Sequence, residues 1–108
     1  MFVIQKDKKI ILTKGDTASI FVQVINLEGK EYEIQPEDVI TMTVRKTAHD
    51  IAVITKTANQ EHYIVLQPTD TSLLKPGLYV YDVQLQIGEN IYTIVPMSYF
   101  EIRNEVTY

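Results

Sequence analysis

The side chains best suited to chemistry in this sequence are two histidines, each beside an acidic residue. His49 precedes Asp50, and Glu61 precedes His62. Imidazole and carboxylate groups together can ligate zinc or act as an acid and base pair. If the segment between them, Ile51 to Thr57, forms a tight hairpin strand, the four side chains converge. No third strong ligand accompanies them, and polar residues near hairpin loops are the more ordinary explanation.

Three further groups of residues invite a chemical interpretation, and each has a simpler structural one. A phosphate loop at Gly15, Asp16 and Thr17 needs more glycines, a lysine and a following helix, so a turn between two strands is predicted there. The acidic stretch between the second and third strands, Glu28, Glu31, Glu33, Glu37 and Asp38, lacks the spacing of a calcium loop. The serines Ser19, Ser72 and Ser98 lack a visible base partner for a hydrolase triad. The sequence therefore predicts no catalytic, cofactor or metal residue and no enzyme.

Composition restricts the partners and the compartment. The 108 residues carry a formal net charge of -4 and contain no cysteine. Disulfides and thiolate chemistry are excluded, and the acidic balance argues against nucleic acid, which needs clustered basic residues. The one basic cluster, Lys6, Lys8 and Lys9, is interpreted as a solvated edge. Because no apolar run has the length of a signal peptide core or of a membrane span, neither export by that route nor membrane insertion is expected.

Apolar alternation predicts an all-β domain that covers residues 1–108, with eight or nine strands. The predicted strands cover residues 10–12, 17–25, 32–34, 39–46, 51–57, 63–67, 79–87, 91–95 and 98–106. In the second of these strands, Phe21 interrupts an otherwise polar face. Residues 68–74 predict a single helical turn, in which Thr69 or Asp70 caps the free amides and Leu73 and Leu74 close the end of the domain.

The clearest fold signal is the turn at Pro76 and Gly77, which leads into a long alternating strand. In immunoglobulin-like sandwiches, a tyrosine near the start of strand F donates its hydroxyl to the backbone a few residues upstream. Tyr79 has that place, and Tyr81 stands where an antibody domain carries its second cysteine. The sequence therefore predicts an immunoglobulin-like Greek-key β-sandwich with a tyrosine-corner-like turn.

A series of motifs follows in order along the chain: residues 15–17, 27–32, 38–46, 68–71, 74–85, 92–94 and 100–102. Over about Ile10 to Thr107, this order resembles small phage and prophage structural proteins of low-GC Gram-positive hosts. These include the immunoglobulin-like N-terminal domain of upper baseplate proteins and related head-fibre and tail proteins. The resemblance implies a non-enzymatic virion structural or adaptor module, made in the host cytoplasm. Because this chain stops after the domain, a receptor-connecting role is not expected.

The strand at residues 51–57 is the expected docking surface, because an edge strand can add a strand from another chain. Its expected contact residues are Ile51, Val53, Ile54, Thr55 and Thr57. The resemblance implies other phage structural proteins and further copies of this chain as partners, without a membrane, a cofactor or a small-molecule substrate. The alternative is a free-standing sandwich that binds a host-surface protein or carbohydrate through exposed tyrosines and acidic loop residues. The candidate tyrosines are Tyr32, Tyr92, Tyr99 and Tyr108.

Overall fold

The structure, a computed structural model, describes residues 2–4, 8–25 and 28–104, with the backbone alone for 2–4. This part of the chain contains ten strands and one short helix. In chain order they are β1 (Phe2–Ile4), β2 (Ile10–Thr13), β3 (Ala18–Phe21), β4 (Val24–Ile25), β5 (Glu31–Tyr32), β6 (Val39–Arg45), β7 (Ala52–Thr57), β8 (Tyr63–Leu66), α1 (Pro68–Thr71), β9 (Gly77–Ile87) and β10 (Asn90–Arg103). The prediction of an all-β chain is confirmed.

Six strands form one sheet in the order β1-β2-β10-β9-β6-β7. Its pairs are antiparallel, except that β2 runs parallel to the end of β10. The predicted break at Pro96 and Met97 is wrong, because β10 continues through both residues. Two register shifts, between Thr93 and Val95 and between Val95 and Ser98, accompany this stretch. Irregular pairing of this kind allows a strand to contain a proline, which has no backbone N–H to donate.

Two short ladders complete the described strands: β3 pairs with β8, and β4 pairs with β5. The predicted continuous strand over residues 17–25 is therefore divided, with Val22 and Gln23 between β3 and β4. Its predicted alternation is nevertheless confirmed, because Ala18, Ile20, Val22 and Val24 are all buried.

The buried apolar residues form one cluster, to which β6 and β9 contribute alternate side chains. From β6 these are Ile40, Met42 and Val44, and from β9 they are Tyr79, Tyr81, Val83 and Leu85. The inward faces predicted for these two strands are confirmed. Tyr81 packs edge-on against Phe100, with 6.2 Å between the ring centroids.

The turn before β9 is stabilised by a tyrosine near the start of that strand. Tyr79 donates its hydroxyl to the backbone oxygen of Lys75 at 2.7 Å, so the predicted hydrogen bond is confirmed. The Lys46 ammonium lies 4.6 Å from the centroid of the Tyr79 ring, and it donates to the Leu78 backbone oxygen at 3.0 Å. These contacts fix the start of β9 relative to the end of β6.

The short helix α1 joins two distant parts of the chain. The N-cap is Gln67 rather than Thr69 or Asp70, and the Asp70 carboxylate, in the third helical position, accepts from the Gln67 backbone N–H at 2.7 Å as part of a capping box. The Gly15 N–H donates to the buried Thr71 hydroxyl at 2.9 Å, so the predicted turn at residues 15–17 is tied to this helix. Leu74 packs partly against the core, but the Leu73 side chain is 94% exposed, so its predicted closing role is wrong.

Among the described residues, no helix has the length and apolarity to cross a membrane.

Candidate functional site

The candidate docking strand β7 lies at one edge of the six-stranded sheet, where β6 is its partner among the described strands. The predicted edge position is therefore confirmed, although the strand begins at Ala52 rather than at Ile51. An edge strand exposes a row of backbone groups to which a further strand can bond.

Within the described residues, the backbone groups of Thr55 and Thr57 in β7 are not bonded to β6. Beyond the end of the strand, the Ala58 N–H donates to the Ile40 backbone oxygen at 2.9 Å. The register then places Thr57 opposite Thr41. Successive residues of an antiparallel strand bond alternately toward and away from their neighbour. The N–H and C=O groups of Thr55 and Thr57 therefore point away from β6, and those of residues 54 and 56 point toward it.

The side chains of the predicted docking residues divide between the two faces of the sheet. Ile51 is 87% exposed, and Val53, Thr55 and Thr57 are also exposed, so four uncharged side chains are available to a partner. Ile54 is only 5% exposed and belongs to the core cluster, so its predicted contact role is wrong. Its side chain stabilises the fold rather than facing a partner.

The division follows the alternation of a strand, and a bulge lies near its start. Ala52 pairs with Arg45 and Ile54 pairs with Val44, which leaves Val53 as an extra residue. Bulges are common at sheet edges, where they limit unwanted pairing. After the bulge, residues 54–57 continue in regular register. The charged residue in this stretch, Lys56, binds Asp70 of α1 at 3.0 Å.

The two histidine turns lie at opposite ends of β7. A six-residue strand separates them, a span of roughly 17 Å at 3.3 Å per residue, so the alternative in which His49, Asp50, Glu61 and His62 converge does not occur. Asp50 instead accepts from the Thr47 N–H and hydroxyl at 3.1 and 3.0 Å. No group of three metal-ligating side chains occurs in the described part of the chain.

The acidic stretch uses one carboxylate to organise the turn before β6. One oxygen of Asp38 accepts from the Tyr32 hydroxyl at 2.8 Å and from the Gln35 N–H at 2.9 Å. The other oxygen, Oδ1, is buried and has no hydrogen-bond partner within the described residues. The hydrogen bond to Asp38 raises the pKa of Tyr32, and burial of the phenol adds to the effect. This carboxylate has a structural role in the turn.

The candidate tyrosines do not share one surface. Tyr32 and Tyr92 line the same cavity of about 390 Å³. Tyr99 lies opposite Val80, an outward residue of β9, and therefore faces the other side of the sheet. Tyr108 lies outside the described residues. Within the described residues, Tyr32, Tyr92 and Tyr99 therefore do not form a single tyrosine-rich face.

Sequence reasoning missed one feature, a groove that borders β3, β4 and β10. Its signal in the sequence was Phe21, an exposed aromatic residue on the polar face of β3. No protein-family model matches this sequence, and no curated protein matches it at a significant level. Function is therefore inferred from the chain's own edges and surfaces.

Proposed function

We propose that this chain is a non-enzymatic structural or adaptor module that docks onto other protein chains through the free edge of β7. The observation that carries the proposal is the outward direction of the backbone groups of Thr55 and Thr57. In strand addition, main-chain hydrogen bonds supply affinity, and alternate side chains select the partner. Ile51 and Val53 supply exposed apolar surface beside these groups.

The fold we propose is an immunoglobulin-like Greek-key sandwich. Support comes from the strand order β7-β6-β9-β10, which corresponds to strands C′, C, F and G of a variable-type domain. The pairing of β3 with β8 corresponds to strands B and E of the opposite sheet. The hydrogen bond from Tyr79 to Lys75, at the start of the strand that corresponds to F, is further support.

The setting we propose is a phage or prophage virion, where the module belongs to a baseplate, tail or head fibre. The support is the order of motifs along the sequence, together with an all-β fold that has an open edge. Phage parts commonly assemble as closed symmetric rings, and a heterologous contact closes a ring when its rotation allows. Flanking genes for portal, capsid or tail proteins are the expected result of sequencing the locus. A metabolic operon on both sides would contradict the virion setting.

Hydrogen exchange tests the proposed docking edge directly. We expect the amides of Thr55 and Thr57 to exchange more slowly as the protein is concentrated, because a second copy bonds to them. The amides of Ile54 and Lys56 are the internal control, since they already donate toward β6. Unchanged exchange at Thr55 and Thr57, under conditions where light scattering detects an oligomer, would place the contact elsewhere.

A further inference from the structure

A second open edge lies on β3, which pairs with β8 alone among the described strands. The Val22 N–H donates to the His62 backbone oxygen at 2.9 Å. The register places Phe21 opposite Tyr63. By the alternation of antiparallel pairs, the backbone groups of Ser19 and Phe21 point away from β8. Within the described residues these groups have no hydrogen-bond partner.

Beside this edge lies a groove formed by two adjoining cavities. One, of about 500 Å³, is lined by residues 20–23 together with Ile94 and Val95. The other, of about 390 Å³, is lined by residues 23–25 and 92–94. Successive residues of a strand face opposite sides of its sheet. A cavity lined by several consecutive residues therefore lies along the edge of the strand. Because both cavities are lined by β3 or β4 on one side and by β10 on the other, the groove lies between these two edges.

The groove has the length of a short extended segment. The inward residues Tyr81 and Val83 of β9 line the first cavity, and Leu85 and Ile87 line the second. From Tyr81 to Ile87 the strand rises by roughly 20 Å at 3.3 Å per residue. The two cavities therefore follow one another along β9 as a continuous apolar floor.

The core residues of β3 and β4 that border the groove are less completely covered than those of the neighbouring strand β8. Ile20, Val22 and Val24 are 9%, 7% and 7% exposed, whereas Ile64 and Leu66 on the neighbouring strand β8 are at 0%. The lining of the groove adds large apolar side chains that are about half exposed or more: Phe21, Ile25 and Tyr92. Exposed apolar side chains that border an open strand edge are suited to contact a partner.

The edge of β3 is better suited to accept a strand than the other edges nearby. On the β10 side, Pro96 and two register shifts interrupt regular pairing. On the far side of the ladder, Asn59 occupies the free groups of Tyr63: its Oδ1 accepts from the Tyr63 N–H at 3.0 Å, and its own N–H donates to the Tyr63 oxygen at 2.8 Å. The outward groups of Ser19 and Phe21 have no comparable cap within the described residues.

Charge indicates the polarity of the occupant. Among the residues that line the two cavities, Lys8 is the one that carries a full charge. It lies at the Tyr81 end, because the Tyr81 hydroxyl donates to the Lys8 backbone oxygen. An occupant that complements this lining has apolar side chains along its length and a carboxylate at the end next to Lys8. Ile20, early in the chain direction, lines the cavity that contains Lys8, and Val24, later in the chain, lines the other cavity. A strand that runs antiparallel to β3 therefore has its carboxyl end beside Lys8.

We propose that this groove binds an extended segment of a partner protein as an added antiparallel strand beside β3. The segment has apolar side chains at alternate positions and an acidic residue at its carboxyl end. The site is separate from β7, which lies at the edge of the other sheet, and it does not depend on the virion setting. With two accepting edges, the chain can link two different polypeptides.

The probe for this site is a synthetic peptide, blocked at its amino end, in which valine and serine alternate before a carboxyl-terminal glutamate. We expect millimolar peptide to slow hydrogen exchange at Ser19 and Phe21. Exchange at Ile20 and Val22 should not change, because these amides already donate toward β8. Replacing the peptide's glutamate by lysine should weaken binding by about fivefold, the scale of one exposed ion pair.

Two control peptides distinguish an added strand from a bound apolar ligand. The first control peptide has the same composition but places its valines next to one another, so it lacks the alternating pattern. The second carries N-methyl groups on alternate amides, which removes the backbone hydrogen-bond donors at those positions. Neither should slow exchange at Ser19 and Phe21. If either protects these amides as well as the alternating peptide does, the groove binds apolar ligands in general, and the strand proposal is overturned.

Two matched variants locate the binding. Ile25→Thr removes apolar surface from the groove rim and should weaken binding of the alternating peptide by about fivefold. Ile51→Thr at the β7 edge should leave the affinity for this peptide unchanged. An equal effect of both variants, or no protection of Ser19 and Phe21 by any peptide, contradicts the proposal. Protection that rises with protein concentration alone would make a second copy the occupant and overturn the assignment to a partner protein. None of these outcomes tests β7 docking.

Discussion

Tyr79 donates its hydroxyl to the backbone oxygen of Lys75 at 2.7 Å, which ties the turn before β9 to the start of that strand. We expect Tyr79→Phe to lower the free energy of unfolding by about 1 kcal/mol, because one partly buried hydrogen bond is lost without a change of shape. Urea denaturation measures this. Tyr99→Phe is the control, since Tyr99 is more than half exposed. Identical midpoints for Tyr79→Phe and the wild type would show that this hydrogen bond does not stabilise the fold.

The Tyr32 phenol should titrate above its ordinary pKa of about 10, because its neutral form donates to the Asp38 carboxylate. Asp38→Asn should lower that pKa toward the ordinary value, and Asp50→Asn should not. Absorbance titration measures it, with Tyr32→Phe subtracted to isolate this residue. Because the folded pKa is raised, this contact contributes stability below the unfolded pKa, and the contribution is lost as pH rises through the folded pKa. The same titration curve in Asp38→Asn would refute the assignment.

Glu101 should contribute to the acid sensitivity of the fold. Its pKa is lowered, first by the hydrogen bond from Arg103 and then by that from Lys9, whose ammonium lies 3.1 Å away. A lowered folded pKa gives stability that is present above the unfolded pKa and is lost as pH falls through the folded value. Glu101→Gln should therefore flatten the acid side of a melting-temperature profile, and Glu89→Gln, in the exposed β9–β10 turn, should not. Superimposable profiles for Glu101→Gln and the wild type would contradict this.

Neighbouring residues of β7 should respond very differently to truncation. Ile54→Ala should destabilise the protein by about 2–5 kcal/mol, because it removes a buried side chain from the core. Val53→Ala, at the exposed bulge, should change stability by less than about 0.5 kcal/mol. Urea denaturation of the two variants makes the comparison. Similar losses for both would mean that Val53 is also packed and is unavailable to a partner.

Period-two alternation was sufficient to predict the inward faces of β6 and β9, because each strand buries one side in the core and leaves the other more exposed. The pattern did not predict the division of residues 17–25 or the continuity of β10 through Pro96. Both depend on irregular pairing, which is decided by neighbouring strands. The three residues of β1 are too few to produce a periodic signal.

The candidate edge strand was predicted in position, but one of its expected contact residues, Ile54, faces the core. Residues 51–57 have no clearly polar face, which correctly indicated an edge strand. Alternation places Ile54 on the core face and Val53, Thr55 and Thr57 on the exposed face, and the bulge at Val53 leaves Ala52 exposed as well. The histidine cluster, which the sequence offered only as the less ordinary alternative, does not form, since His49 and His62 are separated by the full length of β7. Sequence proximity to one strand did not make them neighbours in space.

The most direct test of docking at β7 is the solution mass measured by light scattering over a concentration series for the wild type, Thr55→Pro and Thr55→Val. Proline removes an N–H that points away from β6, so the internal ladder is kept while one bond to a partner is lost. Valine keeps the N–H and is the matched control. We expect a discrete oligomer for the wild type and Thr55→Val, and a folded monomer for Thr55→Pro. A wild-type monomer at every concentration, or an oligomer that persists in Thr55→Pro, would contradict self-association through this edge.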